Sequence, residues 1–261
     1  MEHLGIAALC LFGYMTAAFI VALIKKDNGV ADVAYGGGFV LVAWVTYVLG
    51  FMSPGSLLAS VLVTIWAIRL SGRIAKRNHG KPEDFRYKEW RDEWGKWFIP
   101  RSFLQVFMLQ GIILFVIALP VMMINTFDTS ISIGIVALFG LLIWVKGFVF
   151  EAMADYELDR FIKNPENKDK IMDQGLWHYS RHPNYYGESL MWWGIAVIAF
   201  GTLFAALEGI VFAVFVSPIL ITFLLIKVSG IPLLEKRMEG KPGWKEYQQK
   251  TSAFIPWFPK S

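Results

Sequence analysis

Residues 103–124 read FLQVFMLQGIILFVIALPVMMI, a stretch without a single charged side chain. A helix rises about 1.5 Å per residue and the hydrocarbon core of a bilayer is about 30 Å thick, so about 20 apolar residues suffice for one crossing. The stretch therefore predicts a transmembrane helix. Pro120 is compatible with this prediction, because neighbouring helices can satisfy the backbone groups that a proline leaves unpaired.

Further stretches of the same character predict a protein that crosses the membrane several times. They are residues 4–24, 30–51, 54–70, 131–150, 189–207 and 210–228. In the whole chain 56% of the residues are hydrophobic and 18% are charged, whereas a soluble domain carries about 25% charged residues. The sequence therefore predicts an all-α integral membrane fold with seven transmembrane helices.

The distribution of lysine and arginine predicts the orientation of these spans. Basic residues follow the first, third, fifth and seventh spans, whereas the connections 52–53, 125–130 and 208–209 contain none. Cytoplasmic loops are enriched in lysine and arginine. We therefore expect the N-terminus outside and the C-terminus in the cytoplasm. The basic segments 71–101 and 151–188 are too long for plain connectors, and we expect them to form cytosolic helical extensions.

Cysteine, histidine and glycine usage argues against several kinds of chemistry. Cys10 is the only cysteine, so no intramolecular disulfide can form. His79, His178 and His182 lack the paired spacing of zinc ligands, and no metal is expected. Gly36–Gly38 lie in an apolar span and follow no strand, which favours close helix packing over a nucleotide-binding turn.

The most informative stretch directly precedes the sixth span and reads QGLWHYSRHPNYYGE, residues 174–188. It places Arg181, Asn184, Glu188, two histidines and three tyrosines at the membrane boundary. Polar groups at that depth are costly unless they bind a ligand or each other. The run therefore indicates a binding site. The alternative is an interfacial belt, in which the aromatic rings and Arg181 contact lipid headgroups.

Together with Asp155, Lys163 and Asn164 upstream, this run resembles the C-terminal half of the steroid 5-alpha-reductase family. The likeness is strongest to the bacterial branch of that family, once described only as a domain of unknown function (DUF1295). The end of the chain, with Tyr247 and Phe254–Trp257, is similar too. The resemblance covers roughly residues 60–261, and residues 174–188 are its most specific part.

A shorter piece is also similar to integral-membrane methyltransferases that act on isoprenylcysteine or phospholipids. It consists of Arg181–Pro183, Tyr185 and Gly187. Those enzymes use S-adenosylmethionine, so the shared piece does not decide the reaction. The longer match favours the reductase, and the methyltransferase is the alternative. A non-enzymatic lipid-binding or transport bundle is a third interpretation, in which the polar run is only an anchor.

The resemblance to the reductases implies reduction of the carbon–carbon double bond of a 3-keto-4-ene steroid or a similar lipid enone. The hydride would pass from NADPH to the β-carbon of the enone. The resemblance further implies a monomer in the bacterial inner membrane with its catalytic face in the cytoplasm, with membrane lipid and a hydrophobic substrate as partners and no nucleic acid. We expect a single membrane domain, with substrate-pocket helices in residues 1–124 and the cofactor-binding half in residues 131–261.

Three residues are candidates for stabilising the charge that develops on the ketone oxygen. Asp32 and Tyr35 lie three residues apart near the cytoplasmic end of the second span, so both can face one pocket. An aspartate at that depth is expensive and more often functional than not. Tyr87 is a rival donor if residues 80–90 fold back, and its alternative is a surface loop.

Positive charge suited to phosphate follows the third span. Arg69, Arg73 and Arg77 recur every four residues and form one face of a continuing helix, with Asn78 and Lys81 close by. Cytoplasmic topology and anionic lipid would favour such residues as well. From the resemblance, the remaining cofactor-binding candidates are Glu151, Asp155, Lys163, Asn164, Trp177, Tyr179, Ser180, Arg181, His182, Asn184, Tyr185, Glu188, Arg237 and Tyr247.

Overall fold

The computed structural model describes residues 2–128 and 133–260, except for the side chain of Phe85. The end of the predicted 125–130 connection and the first two residues of the predicted span 131–150 lie outside the described residues. Across the described ranges, helices are the regular elements, apart from one isolated β-bridge between Ser180 and Ser252. The all-helical prediction is confirmed.

The α-helices are α1 (Glu2–Lys25), α2 (Val30–Leu49), α3 (Pro54–Asn78), α4 (Phe85–Trp94), α5 (Phe98–Arg101), α6 (Leu109–Ile117), α7 (Leu119–Phe127), α8 (Ile135–Lys163), α9 (Leu176–Tyr179), α10 (Pro183–Leu207), α11 (Val216–Phe223), α12 (Ile231–Met238) and α13 (Trp244–Lys250). Shorter 3₁₀ segments are Gly95–Trp97, Pro165–Asn167 and Glu208–Phe215, and π-helical segments are Ser102–Met108 and Leu224–Val228.

Several helical stretches are long and apolar enough to cross a membrane, so the chain is an integral membrane protein. Within the described ranges there are six: Glu2–Lys25, Val30–Leu49, Pro54–Asn78, Arg86–Ile117, Ile135–Lys163 and Pro183–Met238. The sixth has 56 residues, far more than the about 20 that one crossing needs. The count of seven crossings and the orientation of the termini stay predictions.

The chain reverses direction within the sixth stretch. The Ser189 and Thr222 hydroxyls lie 2.6 Å apart, and the rings of Trp193 and Phe215 lie 6.1 Å apart. Nearer the turn, Phe200 packs against the ring of Phe212 at 5.6 Å. These contacts show that α10 and the segment after it run antiparallel. Two separate spans, such as the predicted sixth and seventh, would have to run in this way.

Two of the predicted boundaries differ from the structure for identifiable reasons. The predicted span 103–124 is divided between α6 and α7 near Ala118, because Pro120 has no N–H to donate to the carbonyl four residues earlier. The predicted third span 54–70 continues to Asn78, which confirms that the basic residues beyond residue 70 stand on a continuing helix.

The described residues form two compact units. The first unit contains residues 2–128, 133–134 and Ala199–Val214, and the second unit contains Ile135–Ile198 and residues 215–260. The prediction of a substrate-pocket half and a cofactor half stays a prediction.

In the first unit, α2 packs against α1 and α3 through its glycines. A Cβ atom on Gly36 would lie 2.8 Å from the carbonyl oxygen of Ala67 in α3, and one on Gly37 would collide with the Tyr14 hydroxyl of α1. An added side chain would therefore press on the α3 backbone at Gly36 and displace the Tyr14 hydroxyl at Gly37. The prediction that Gly36–Gly38 permit close helix packing is confirmed.

A buried polar cluster joins the other ends of these helices. The amide of Asn125, which is fully buried, donates to the Ala43 carbonyl oxygen at 2.8 Å and to the Thr46 hydroxyl at 2.9 Å. The Ser53 hydroxyl caps α3 and donates to the buried carboxylate of Asp128 at 2.6 Å. The cluster supplies partners for polar groups that would otherwise be costly in a dry interior.

In the second unit, α8 and α10 pack against each other through two glycine pairs. A Cβ on Gly140 would lie 2.7 Å from the carbonyl oxygen of Gly194, and a Cβ on Gly147 would lie 2.6 Å from that of Gly187. The glycines of each helix are seven residues apart, which is two turns and therefore one face. This close crossing places Glu151 of α8 beside the first turns of α10.

Candidate functional site

The polar run 174–188 begins with a turn that only glycine can make. Gly175 has φ = +58°, and a Cβ there would collide with the carboxylate of Glu157. That carboxylate accepts the backbone N–H of Leu176 at 2.9 Å. The turn therefore fixes the start of α9 against α8.

The C-terminal tail of the chain holds residues 179–181 from the other side. The Arg181 backbone N–H donates to the Ser252 carbonyl oxygen at 2.8 Å, and that of Trp257 donates to the Tyr179 carbonyl oxygen at 2.9 Å. The buried Ser180 hydroxyl donates to the Phe254 carbonyl oxygen at 2.8 Å. The tail thus lies along the motif as an extended strap.

The Arg181 guanidinium binds this strap and α12 together. It donates to a carboxylate oxygen of Glu235 at 2.8 Å, to the Gln248 carbonyl oxygen at 2.9 Å and to the Thr251 carbonyl oxygen. Its side chain is 9% exposed and that of Glu235 is 15% exposed. This nearly buried clamp gives Arg181 a structural role, and its predicted role in cofactor binding stays a prediction.

His182 lies next to this clamp and faces a cavity. Its Nε2 atom lies 3.2 Å from Glu235, and its ring stacks on that of Tyr185 with the centroids 5.6 Å apart. Its other ring nitrogen, Nδ1, is buried and has no hydrogen-bond partner among the described residues. Within the same ranges no three His, Cys, Asp or Glu side chains are arranged to hold a metal, and the absence of a metal stays a prediction.

Trp177 and Tyr247 form the next part of the wall. The Trp177 indole donates to the Ala154 carbonyl oxygen at 3.0 Å, and the Tyr247 hydroxyl donates to the Trp177 carbonyl oxygen. Burial raises the pKa of Tyr247 above its ordinary value. The phenol therefore stays protonated and remains a donor throughout the physiological range.

These elements enclose a cavity of about 430 Å³ within the second unit. Its wall brings together predicted cofactor residues from the motif and from the tail, namely Trp177, Arg181, His182, Arg237 and Tyr247. Lys241 adds a second exposed cation beside Arg237, and Trp244 adds a buried ring. The volume lies within the about 300–1,000 Å³ of small-molecule sites.

Other predicted cofactor residues lie elsewhere in the second unit. Asn164 accepts the Glu166 N–H at 3.1 Å and so caps a 3₁₀ turn, and Lys163 beside it is exposed. Tyr179 is 40% exposed and its ring contacts that of Phe258. None of these predicted ligands lines the 430 Å³ cavity, and their roles stay predictions.

The close crossing of α8 and α10 gathers the predicted acidic and amide residues. Glu151 and Asp155 are buried and lie one turn apart on α8. Glu188 follows Gly187, whose added Cβ would lie 2.5 Å from the Glu151 backbone nitrogen. On the same helix, Oδ1 of Asn184 is buried and has no hydrogen-bond partner within the described ranges. Polar groups therefore converge at this crossing.

In the first unit, residues 80–94 fold back over the start of α2. The Tyr87 hydroxyl donates to one carboxylate oxygen of Asp32 at 2.8 Å, and Arg86 donates to the other at 3.3 Å. Tyr87 is 4% exposed, so it is not part of a surface loop. The ring of Tyr35 packs on Phe39 at 5.0 Å, and its catalytic role stays a prediction.

A second set of contacts, here called the latch, fastens α4 in this position. Glu83 accepts the Asn28 backbone N–H at 2.8 Å and pairs with Arg91 at 2.8 Å. Arg91 also donates to the Lys26 carbonyl oxygen at 3.3 Å. The latch ties the start and the end of α4 to the turn between α1 and α2, and it does not involve Asp32.

The predicted basic face of α3 also lies in the first unit. Arg77 donates to the Asn78 side chain at 3.4 Å, and Asn78 and Lys81 line a separate cavity beside α1 and α2. Arg73 is half-buried. The assignment of Arg73, Arg77, Asn78 and Lys81 to the cofactor stays a prediction.

Sequence reasoning missed Glu235, Lys241 and Trp244. Glu235 stands in the run Glu-Lys-Arg, which is typical of a solvated helix face, and nothing local signals its pairing with Arg181. Lys241 and Trp244 lie close in sequence to the predicted Arg237 and Tyr247, and this closeness is the signal that could have indicated them.

The fold and the site define a class of protein: an all-helical membrane protein with a mostly apolar cavity that carries cations on its wall and is built from a short motif and the chain's tail. The chain belongs to the family described as "Protein of unknown function (DUF1295)", whose family model matches residues 18–251. No solved structure matches the chain.

Curated relatives extend this assignment. The chain is 34% identical over 83 residues to "3-oxo-5-alpha-steroid 4-dehydrogenase 1" of Rattus norvegicus, covering 32% of the chain and 30% of that enzyme. The mouse enzyme of the same name is 34% identical over 76 residues, which cover 29% of the chain and 28% of the enzyme. An uncharacterized protein of Schizosaccharomyces pombe is 25% identical over 237 residues, covering 80% of the chain and 66% of that protein.

The chain therefore spans less than a third of the length of the mammalian enzymes it matches. Together with the family match, these similarities confirm the resemblance to the steroid 5-alpha-reductase family that residues 174–188 indicated.

Proposed function

We propose that the protein is an NADPH-dependent enone reductase of the membrane, acting on a 3-keto-4-ene steroid or a similar lipid enone. One observation carries the proposal: motif and tail, some 60 residues apart in sequence, close a single cavity lined by five residues that the resemblance had assigned to the cofactor. The similarity to mammalian enzymes named 3-oxo-5-alpha-steroid 4-dehydrogenase 1 supports the reaction class.

The cavity's side chains fit part of a dinucleotide. Arg237 and Lys241 offer positive charge for phosphate oxygens, and Trp177 and Trp244 offer aromatic surface. The unpartnered Nδ1 of His182 is a buried polar atom that a ligand would satisfy. When bound, NADPH supplies the hydride. The cavity's residues bind and orient the nucleotide, and Arg181 maintains the wall by holding the strap.

Asp32 and Tyr87 are the proposed catalytic pair of the first unit. Negative charge grows on the ketone oxygen as the β-carbon is reduced, and a preorganised donor lowers the barrier. The Tyr87 phenol is that donor. Its single O–H, which goes to Asp32 at 2.8 Å, would turn to the ketone oxygen when substrate binds, and Asp32 holds the phenol in place until then. Tyr35 is the further donor that the sequence suggested on the same helix.

Nucleotide binding by protein purified in lipid nanodiscs tests the cofactor assignment. We expect NADPH fluorescence to change on binding, and Lys241→Ala to weaken the affinity about five- to tenfold, because an exposed ammonium–phosphate contact is partly screened by water. Lys245→Ala is the matched control, since Lys245 is exposed and does not line the cavity. Protein that binds S-adenosylmethionine and not NADPH would be the methyltransferase, and protein that ignores both would be neither enzyme.

Turnover of a panel of lipid enones tests the catalytic pair. Tyr87→Phe should lower kcat about 100-fold or more, because it removes the donor. Asp32→Asn should lower kcat about tenfold, because its amide holds the phenol only by an uncharged hydrogen bond. Nucleotide affinity should stay within about twofold in both variants. Full turnover in both variants would remove these residues from the mechanism, and the nucleotide assignment would stand or fall on the binding assay.

A further inference from the structure

A second cavity, of about 670 Å³, lies within the first unit between α1, α2 and the end of α3. Neither Asp32 nor Tyr87 lines it. Most of its wall is apolar and includes Ala17, Val21 and Val33. The volume is again within the range of small-molecule sites, and the apolar wall suits a hydrocarbon chain.

Polar groups are gathered at one end of this cavity. Lys25 ends α1 and Lys81 follows α3, and both are exposed cations on the cavity wall. The single carboxylate there, Asp27, accepts the Gly29 N–H at 2.8 Å. A Cβ on Gly29 would lie 2.9 Å from a carboxylate oxygen of Asp27 and 3.6 Å from the Asn78 amide nitrogen, so glycine leaves room for both polar groups at this end. The end therefore carries excess positive charge and amide donors.

We propose that this cavity binds a glycerophospholipid. Its phosphate would lie between Lys25 and Lys81, and an acyl chain would follow Ala17, Val21 and Val33. The two lysines stand where the apolar run of α1 stops, which is the level at which a bilayer presents its phosphates. A free phosphate could bind the cations, but it would leave the apolar wall uncovered. This site does not depend on the proposed reduction.

Native mass spectrometry of the detergent-solubilised protein measures retained phospholipid directly. One basic residue near an anionic lipid changes the affinity about fivefold, so the double variant Lys25→Ala/Lys81→Ala should retain about 25-fold less lipid than the wild type. The matched control is Lys76→Ala/Lys88→Ala, because these lysines are exposed and do not line the cavity. Equal retention by the two double variants, or no retained phospholipid in the wild type, would overturn the proposal.

A second variant tests the apolar wall without changing charge. Ala17→Phe fills the cavity from an exposed position and should displace the lipid. Leu9→Phe should retain it, because Leu9 is 72% exposed on α1 and does not line the cavity. Thermal unfolding verifies that each variant is folded. Inorganic phosphate is titrated into delipidated protein as a separate arm. If phosphate binds through Lys25 and Lys81 and phospholipid does not, the lipid assignment is wrong.

Discussion

Replacement of Arg181 by alanine should release the C-terminal strap from the motif. The guanidinium makes three hydrogen bonds, to Glu235 and to the carbonyl oxygens of Gln248 and Thr251, at a position that is 9% exposed. Removing one partner of a buried ion pair costs about 3–5 kcal/mol. Because the Glu235 side chain is 15% exposed, water can solvate part of its charge, and we expect the lower end, about 3 kcal/mol.

Hydrogen–deuterium exchange measures this loss where it occurs. The reporters are the backbone N–H groups of Thr251 and Trp257, which donate to the Tyr247 and Tyr179 carbonyl oxygens at 2.9 Å. Since about 1.4 kcal/mol is tenfold in an equilibrium, a loss of about 3 kcal/mol should speed their exchange about 100-fold. The expected readout is therefore local and large.

Two further variants separate the fork of Arg181 from its charge. Arg181→Lys keeps the positive charge and loses the planar fork, so exchange should rise only about tenfold. Arg160→Ala removes an exposed arginine and should leave the strap unchanged. If Arg181→Ala leaves exchange at Thr251 and Trp257 within about twofold of the wild type, the clamp does not hold the strap and the reasoning is refuted.

Two other predictions concern the second unit. Gly187→Ala should lower the unfolding free energy by about 3 kcal/mol in thermal unfolding, because its Cβ would lie 2.5 Å from the Glu151 backbone nitrogen, whereas Gly5→Ala, with nothing within 4 Å, should not destabilise. Burial raises the pKa of Tyr247, so its protonated form stabilises the fold below pH about 10 and that stability is lost as pH rises further. Tyr247→Phe should therefore be less stable by about 1 kcal/mol at pH 8 and lack this alkaline decline, whereas an equal decline in both proteins would contradict the pKa shift.

The helices and their close packing could be predicted because their signals are local. Apolar length predicts the spans, and the uninterrupted spacing of Arg69, Arg73 and Arg77 predicted that α3 extends beyond its apolar part, as it does to Asn78. Gly36–Gly38 could be read as a packing site because glycine in a membrane helix has few other uses.

The partners of the polar residues could not be predicted, because they are set by contacts between distant parts of the chain. Arg181 and Glu235 are 54 positions apart, as are Asp32 and Arg86. An arginine suits a phosphate or a carboxylate equally well, so the residue type left its role open. The fold decides that this guanidinium faces Glu235 and two carbonyl oxygens.

Asp32 shows how a structural and a catalytic role can be told apart. A half-buried carboxylate beside Arg86 and Tyr87 could serve only to fasten α4, since a charge that is partly removed from water needs partners wherever it lies. Yet α4 is already fastened by the latch of Glu83 and Arg91, which does not use Asp32. A purely structural Asp32 would therefore be partly redundant, and Asp32→Asn, which can still accept the Tyr87 proton, should leave α4 in place. If this variant loses turnover while hydrogen–deuterium exchange of the Tyr87 and Lys88 backbone N–H groups is unchanged, the loss reflects the chemistry and not the fold.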